Sequence, residues 1–153
     1  MNHADVLLVT VTKVESKAVM QVVQQATGSP SRPVSIDDRV YHDLGSINGT
    51  RVFMTLSEMG TGGLGASLQA VEKGIDALSP AAVIMVGIAF GVNEKKQSIG
   101  DVLVSRQLWL YELQRVSADK IIPRGDKPHA SPWLFNCFQS ADLYWDESKA
   151  KVR

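Results

Sequence analysis

A chain of 153 residues, 44% of them hydrophobic, can bury one sizeable core and is short for two. Its sixteen basic and sixteen acidic side chains cancel, which argues against nucleic acid or an anionic membrane as the main partner. No apolar run approaches the ~20 residues that span a bilayer. Asp5 interrupts any signal-peptide reading of the start, and the lone Cys137 permits no intrachain disulfide, so a cytoplasmic protein is expected.

The first predicted element is the continuous apolar run of residues 6–11, rich in valine and leucine, which fits a strand buried on both faces. A helix is expected next, near residues 15–27, because Val14, Ala18, Val19, Val22, Val23 and Ala26 recur at helical spacing. Gly28 marks its end, with Pro30 and Pro33 beyond. Residues 39–47 and 51–56 flank Asn48-Gly49, a strong signal for a type I′ hairpin. Leu64, Leu68, Val71, Ile75 and Leu78 form an apolar stripe that predicts a helix over 63–79, stopped by Pro80. Residues 81–86 read as another buried strand and 101–113 as a long one. Beyond about Ser117 the pattern weakens, although Ser131-Pro132 opens a short helix carrying Leu134, Phe135, Phe138 and Ala141. The alternation implies an α/β fold: one domain with a mainly parallel, twisted central sheet flanked by helices, its core at 5–116.

In open α/β sheets, ligands bind beyond the carboxyl ends of the strands. Three loops fall there, at residues 12–15, 57–65 and 87–91. The glycines Gly60, Gly62, Gly63 and Gly65 precede a helix, where backbone N–H groups hold anions or hydroxyls; the plain alternative is a tight turn. They match neither G-x-G-x-x-G nor a P-loop. Thr12-Lys13-Val14-Glu15 fits a capping box, in which Glu15 serves only its own helix, or else Glu15 handles water at the end of the first strand. His3, His42 and His129 are scattered without metal-ligand spacing and read as surface residues. Cys137, among Trp133, Phe135 and Phe138, reads as a core thiol. No metal or other cofactor is expected.

Several stretches together carry a resemblance: the first strand running into Glu15, "SEMGTGGLGASLQAVEKGI", "PAAVIMVGIAFGV" and "IGDVLVSRQLWLYE". Over roughly residues 5–116 the chain resembles the purine nucleoside phosphorylase and nucleosidase superfamily, especially methylthioadenosine/S-adenosylhomocysteine nucleosidases. It is also similar to nucleosidase-type domains fused to bacterial signalling or antiphage proteins. The resemblance implies that Glu15 is the water-handling glutamate. It puts Gly60, Thr61 and Gly62 beside the ribose, and Ile88, Ala89, Phe90 and Gly91 along the purine edge. It implies a purine nucleoside or nucleotide as partner, and a homo-oligomer or an additional C-terminal domain.

Three departures shape the expectation. Phosphorolytic members with a phosphate site tend to carry an arginine where Met85 stands and a hydroxyl residue where Ile88 stands. Neither apolar side chain supplies a charge-assisted donor, so hydrolysis is favoured over phosphorolysis. Phe90 replaces a small residue and either stacks on the base or plugs the pocket. The family's later Glu-Met-Glu motif and purine-protonating aspartate are missing before Arg153. The chain is thus expected to be the N-terminal part of an N-glycosidase, poorly active or inactive alone, or else a non-catalytic purine-binding or interaction module.

Overall fold

The structure is a computed structural model describing residues 3–60, 65–89, 91, 93, 95–108, 114–117, 120–123 and 127–144. The chain divides into two compact units, Met1–Ile88 and Ala89–Arg153. The first contains β1 (Val6–Thr10), α1 (Lys13–Thr27), β2 (Arg32–Ile36), β3 (Arg39–Ile47), β4 (Thr50–Leu56), α2 (Ser67–Leu78) and β5 (Ala82–Met85).

Its five strands form one sheet in the order β2-β3-β4-β1-β5. β1 pairs in parallel with both β4 and β5, whereas β2–β3 and β3–β4 are antiparallel. The sheet is therefore α/β and mixed, without the expected predominance of parallel pairing, because two tight turns each reverse the chain. At the second turn Asn48 and Gly49 have φ of 50° and 84°. Positive φ at both central residues is the type I′ geometry that matches strand twist. β2 falls on residues the sequence reading assigned to the region beyond the helix. Pro33 is tolerated there because β2 is an edge strand, where a missing N–H costs no ladder bond.

Alternate residues of β1 enter two cores. Leu7 and Val9 pack with Tyr41, Phe53 and Leu78 of α2, while Val6 and Leu8 pack with Val52, Met54 and Val23 of α1. Helices thus cover opposite faces, and β1 is apolar from Val6 to Val9, as a strand packed on both sides must be, with polar Thr10 only at its carboxyl end. A bulge at Asp43/Gly45 shifts the β3–β4 register and turns the extra residue, Leu44, into the α1-side core.

Helix α2 begins at Ser67 rather than 63, and its buried residues are Ala70, Gly74 and Leu78. Leu68 and Ile75, expected in the buried stripe, are 59% and 46% exposed; Leu64 lies outside the described residues. The helix turns its small residues to the sheet so that the backbone can approach closely. A Cβ added at Gly74 would collide with Leu7 Cδ2.

The second unit contains the antiparallel pair β6 (Gln114–Ser117) and β7 (Lys120–Pro123), then α3 (Pro132–Asp142). Ser131 caps α3 by accepting a hydrogen bond from the Leu134 N–H, at the predicted place. Two expectations are corrected here. Residues 101–108 form no strand, only an isolated bridge between Gln107 and His129, because an apolar run becomes a strand only with a ladder partner; 109–113 lie outside the described residues. Cys137 is exposed rather than a core thiol, since α3 buries none of its residues. Among the described residues no helix is long and apolar enough to cross a membrane.

Gly74→Ala tests the close approach. Helix propensity alone would stabilise by ~1 kcal/mol. Leu7 is fully buried, so overpacking at ~1–3 kcal/mol should win, and urea unfolding should show net destabilisation. A more stable variant would mean that Leu7 has room to move.

Candidate functional site

The loops after β1 and β4 lead to helices on opposite faces of the sheet. Between adjacent parallel strands that arrangement opens a crevice at their carboxyl ends, the usual ligand position in open α/β sheets. β5 ends at the same edge, because it too runs parallel to β1.

Polar groups fill this edge. The Ser57 N–H donates to the Thr10 carbonyl at 2.8 Å. The Ser16 hydroxyl donates to the Thr12 carbonyl at 2.9 Å and lies 2.8 Å from Thr10 Oγ1, which must then be the donor of that pair. Thr55 Oγ1 is buried with no hydrogen-bond partner. Sequence reasoning did not select these residues; their signal was the hydroxyl placed where each apolar strand ends.

Glu15 is the centre of the arrangement. Both halves of the capping box are present: Thr12 Oγ1 accepts from the Glu15 N–H at 3.2 Å, and Glu15 Oε2 accepts from the Thr12 N–H at 2.8 Å. The same oxygen accepts from the Val11 N–H at 3.2 Å. The other oxygen, Oε1, accepts from the Ile88 N–H at 2.9 Å, across 73 residues of sequence. One carboxylate therefore caps α1 and also ties it to the loop after β5. The Ile88 bond is the chief reason its carboxyl lies below the usual glutamate range, with the Thr12 N–H next. Gly87 makes the approach possible, since a Cβ there would sit 3.1 Å from Oε1.

This geometry limits the chemistry. An ionised carboxylate offers about four lone-pair positions, and backbone donors fill three of them. Glu15 can still accept a hydrogen bond from water or a hydroxyl. Its lowered pKa makes it a weak proton acceptor but a well-fixed negative charge.

The glycine loop begins at the same edge. The Glu58 N–H donates to the Gly65 carbonyl at 2.8 Å, closing the loop at its base. Gly65 has φ of 85°, and a Cβ there would come 2.9 Å from the Glu58 side chain, so glycine is required. The Gly60 carbonyl accepts from the Ser67 N–H and hydroxyl at 3.1 and 3.0 Å. Ala66, at the N-cap of α2, gives no side-chain cap.

The structure thus brings Glu15 into direct contact with Ile88, whose side chain is 79% exposed. Gly60 shares the edge without a described bond to Glu15. Thr61, Gly62 and Phe90 lie outside the described residues. Ala89 and Gly91 belong to the second unit, where a Cβ on Gly91 would sit 3.1 Å from Gln97 Oε1. His42 is partly buried rather than exposed, and burial pushes its imidazole pKa down. Among the described residues no His, Cys, Asp or Glu side chains cluster as a metal-holding group. No family model, curated protein or solved structure matches this chain.

Acid unfolding tests the Glu15 tie. A carboxyl lowered on folding contributes stability that is fully present above its unfolded pKa of ~4.3 and is lost as pH falls through the folded value. Asp38, through its Lys73 partner, shifts the same way. So does Asp43, where Arg51 and the Gly45 N–H outweigh burial. The Glu15 share is therefore the difference between wild type and Glu15→Gln. Glutamine has a single acceptor oxygen, so it cannot serve both the Thr12 side and Ile88, and the variant should lose about 1 kcal/mol or more at neutral pH. That gap should close in acid; a pH-independent gap would refute the assignment.

Proposed function

We propose that the first unit belongs to a purine nucleoside or nucleotide N-glycosidase with a nucleoside phosphorylase-like fold, completed by a C-terminal part, and that Glu15 positions the attacking water. The observation that carries this reading is the Glu15 carboxylate, held between two loops at the carboxyl edge with one acceptor position open. Three parallel strands, β4-β1-β5, with helices on both faces are compatible with the resemblance described above.

Hydrolysis is favoured over phosphorolysis by the side chains at and after the end of β5. Met85 is 50% exposed at the end of β5, and Ile88 projects from the following loop. A phosphate needs charge-assisted donors, and neither residue has one. A fixed anion would also repel phosphate while favouring the positive charge that develops on a ribosyl centre. Glu15 orients water and stabilises that centre; the proton for the leaving base comes from another group.

The complete capping box supports a second reading, a purine-binding module without catalysis, because every Glu15 bond observed is structural.

The natural full-length protein should release free base from a purine nucleoside or nucleotide in phosphate-free buffer, and added phosphate should not accelerate it. Strict phosphate dependence, with ribose 1-phosphate as product, would overturn hydrolysis. Glu15→Gln removes the fixed charge and should then slow turnover by ~10²–10³. Gly87→Ala strains the same loop contact but keeps the charge, so it should cost far less. Equal losses would assign Glu15 to loop anchoring, and binding of nucleoside without base release would favour the module.

A further inference from the structure

A second concavity lies on the other side of the α1 N-terminus, away from the Glu15–Ile88 contact. It is a groove of about 220 Å³ between α1 and the β3–β4 side of the sheet. Its accessible floor is apolar, made by the partly buried Met20 and by Leu56, which is 40% exposed, with the fully buried Met54 beneath them. Lys13 and Lys17 stand on its rim, one helical turn apart on the same face of α1. No carboxylate lines it.

We infer that this groove binds a small amphipathic anion, with its charged head at Lys13 and Lys17 and its apolar body on Met20 and Leu56. The two lysines are placed at a cost. Like charges four residues apart repel by ~0.2–0.5 kcal/mol, and cations near a helix N-terminus oppose its dipole. Among the described residues neither lysine has an ion-pair partner to offset this. An anionic head supplies that partner.

The other polar groups at the groove are committed elsewhere or uncharged. The Ser16 hydroxyl is used by Thr10 and Thr12, and the Leu56 carbonyl accepts from the Arg39 guanidinium at 3.2 Å. His42 is desolvated, which favours its neutral form. A purely apolar ligand would leave the ammonium pair without use, and a bare anion would leave Met20 and Leu56 wet. A molecule with both parts satisfies both.

Octanoate is the probe, with octanol and inorganic phosphate as controls, followed by amide NMR shifts of the isotopically labelled chain. Octanoate should saturate shifts at residues 13–20, 40–44 and 54–56, and bind at least about tenfold tighter than either control. The exposed double substitution Lys13→Gln, Lys17→Gln should weaken it about tenfold with the remaining spectrum unchanged, and the double Lys→Arg variant should retain binding. Equal affinity for octanol would overturn the role of the lysines. Equal affinity for phosphate would overturn the role of the floor, and shifts spread over the whole surface would overturn the site. Base release is not part of this assay, so its outcome is separate from that of the glycosidase reading.

Discussion

A strand with a partner on each edge and a helix on each face has no water-facing side left, and β1 meets that constraint with Val6-Leu7-Leu8-Val9. The remaining order of the first unit follows from it. α1 covers one face on the way to β4, and α2 covers the other on the way to β5, so all three parallel strands end at one edge. Leu7 and Val9, both fully buried, contribute ~1.5–3 kcal/mol each on the α2 side, while the partly buried Val6 and Leu8 pack on the α1 side. The same constraint explains why α2 shows Gly74 to Leu7: a bulkier helix face would hold α2 off the strand.

The chemistry of the edge depends on the same convergence. Glu15 reaches Ile88 only because β1 and β5 are neighbours running the same way. Its bonds to Val11 and Thr12 fix the carboxylate locally, and the bond to Ile88 makes that local cap part of the tertiary structure. Structural and chemical roles are thus not exclusive. A capping box that used both carboxylate oxygens within one helix turn would leave little for a ligand, whereas this one leaves an acceptor position directed by backbone from two loops.

Much of the first unit was legible in the sequence because its signals were local. The β1 run, the Gly28 cap at φ of 71°, the Asn48-Gly49 turn and the capping box all depend on residues within a few positions of each other. What escaped depended on distant partners. β2 was hidden because Pro33 reads as a breaker unless the strand is known to lie at an edge. The α2 face was misread because Leu68 and Ile75 are more apolar than Ala70 and Gly74, yet closeness of approach decided which face packed. The apolar run at 101–108 had strand composition and no ladder. At the site, the capping role of Glu15 was legible from the Thr12–Glu15 spacing, but its bond to Ile88 spans a separation that no local pattern records.

Among the described residues, the two edges of the sheet differ in composition. β2 carries Arg32 and Pro33 and is followed by Asp37 and Asp38, so charge and a missing donor discourage further pairing. β5 has neither protection, and residues 77–93 contain no charged side chain at all. The polar work of the unit is concentrated instead on the first two turns of α1. Lys13 and Lys17 face the groove on the β3–β4 side, while Glu15, two residues from each, faces β5. Its carboxylate satisfies backbone N–H groups at the positive end of the helix and forms no ion pair with either lysine. Removing Glu15 would break the tie to the loop after β5 and leave the Thr12 hydroxyl as the remaining half of the cap, while the basic rim on the other side of α1 would still want its own counter-charge.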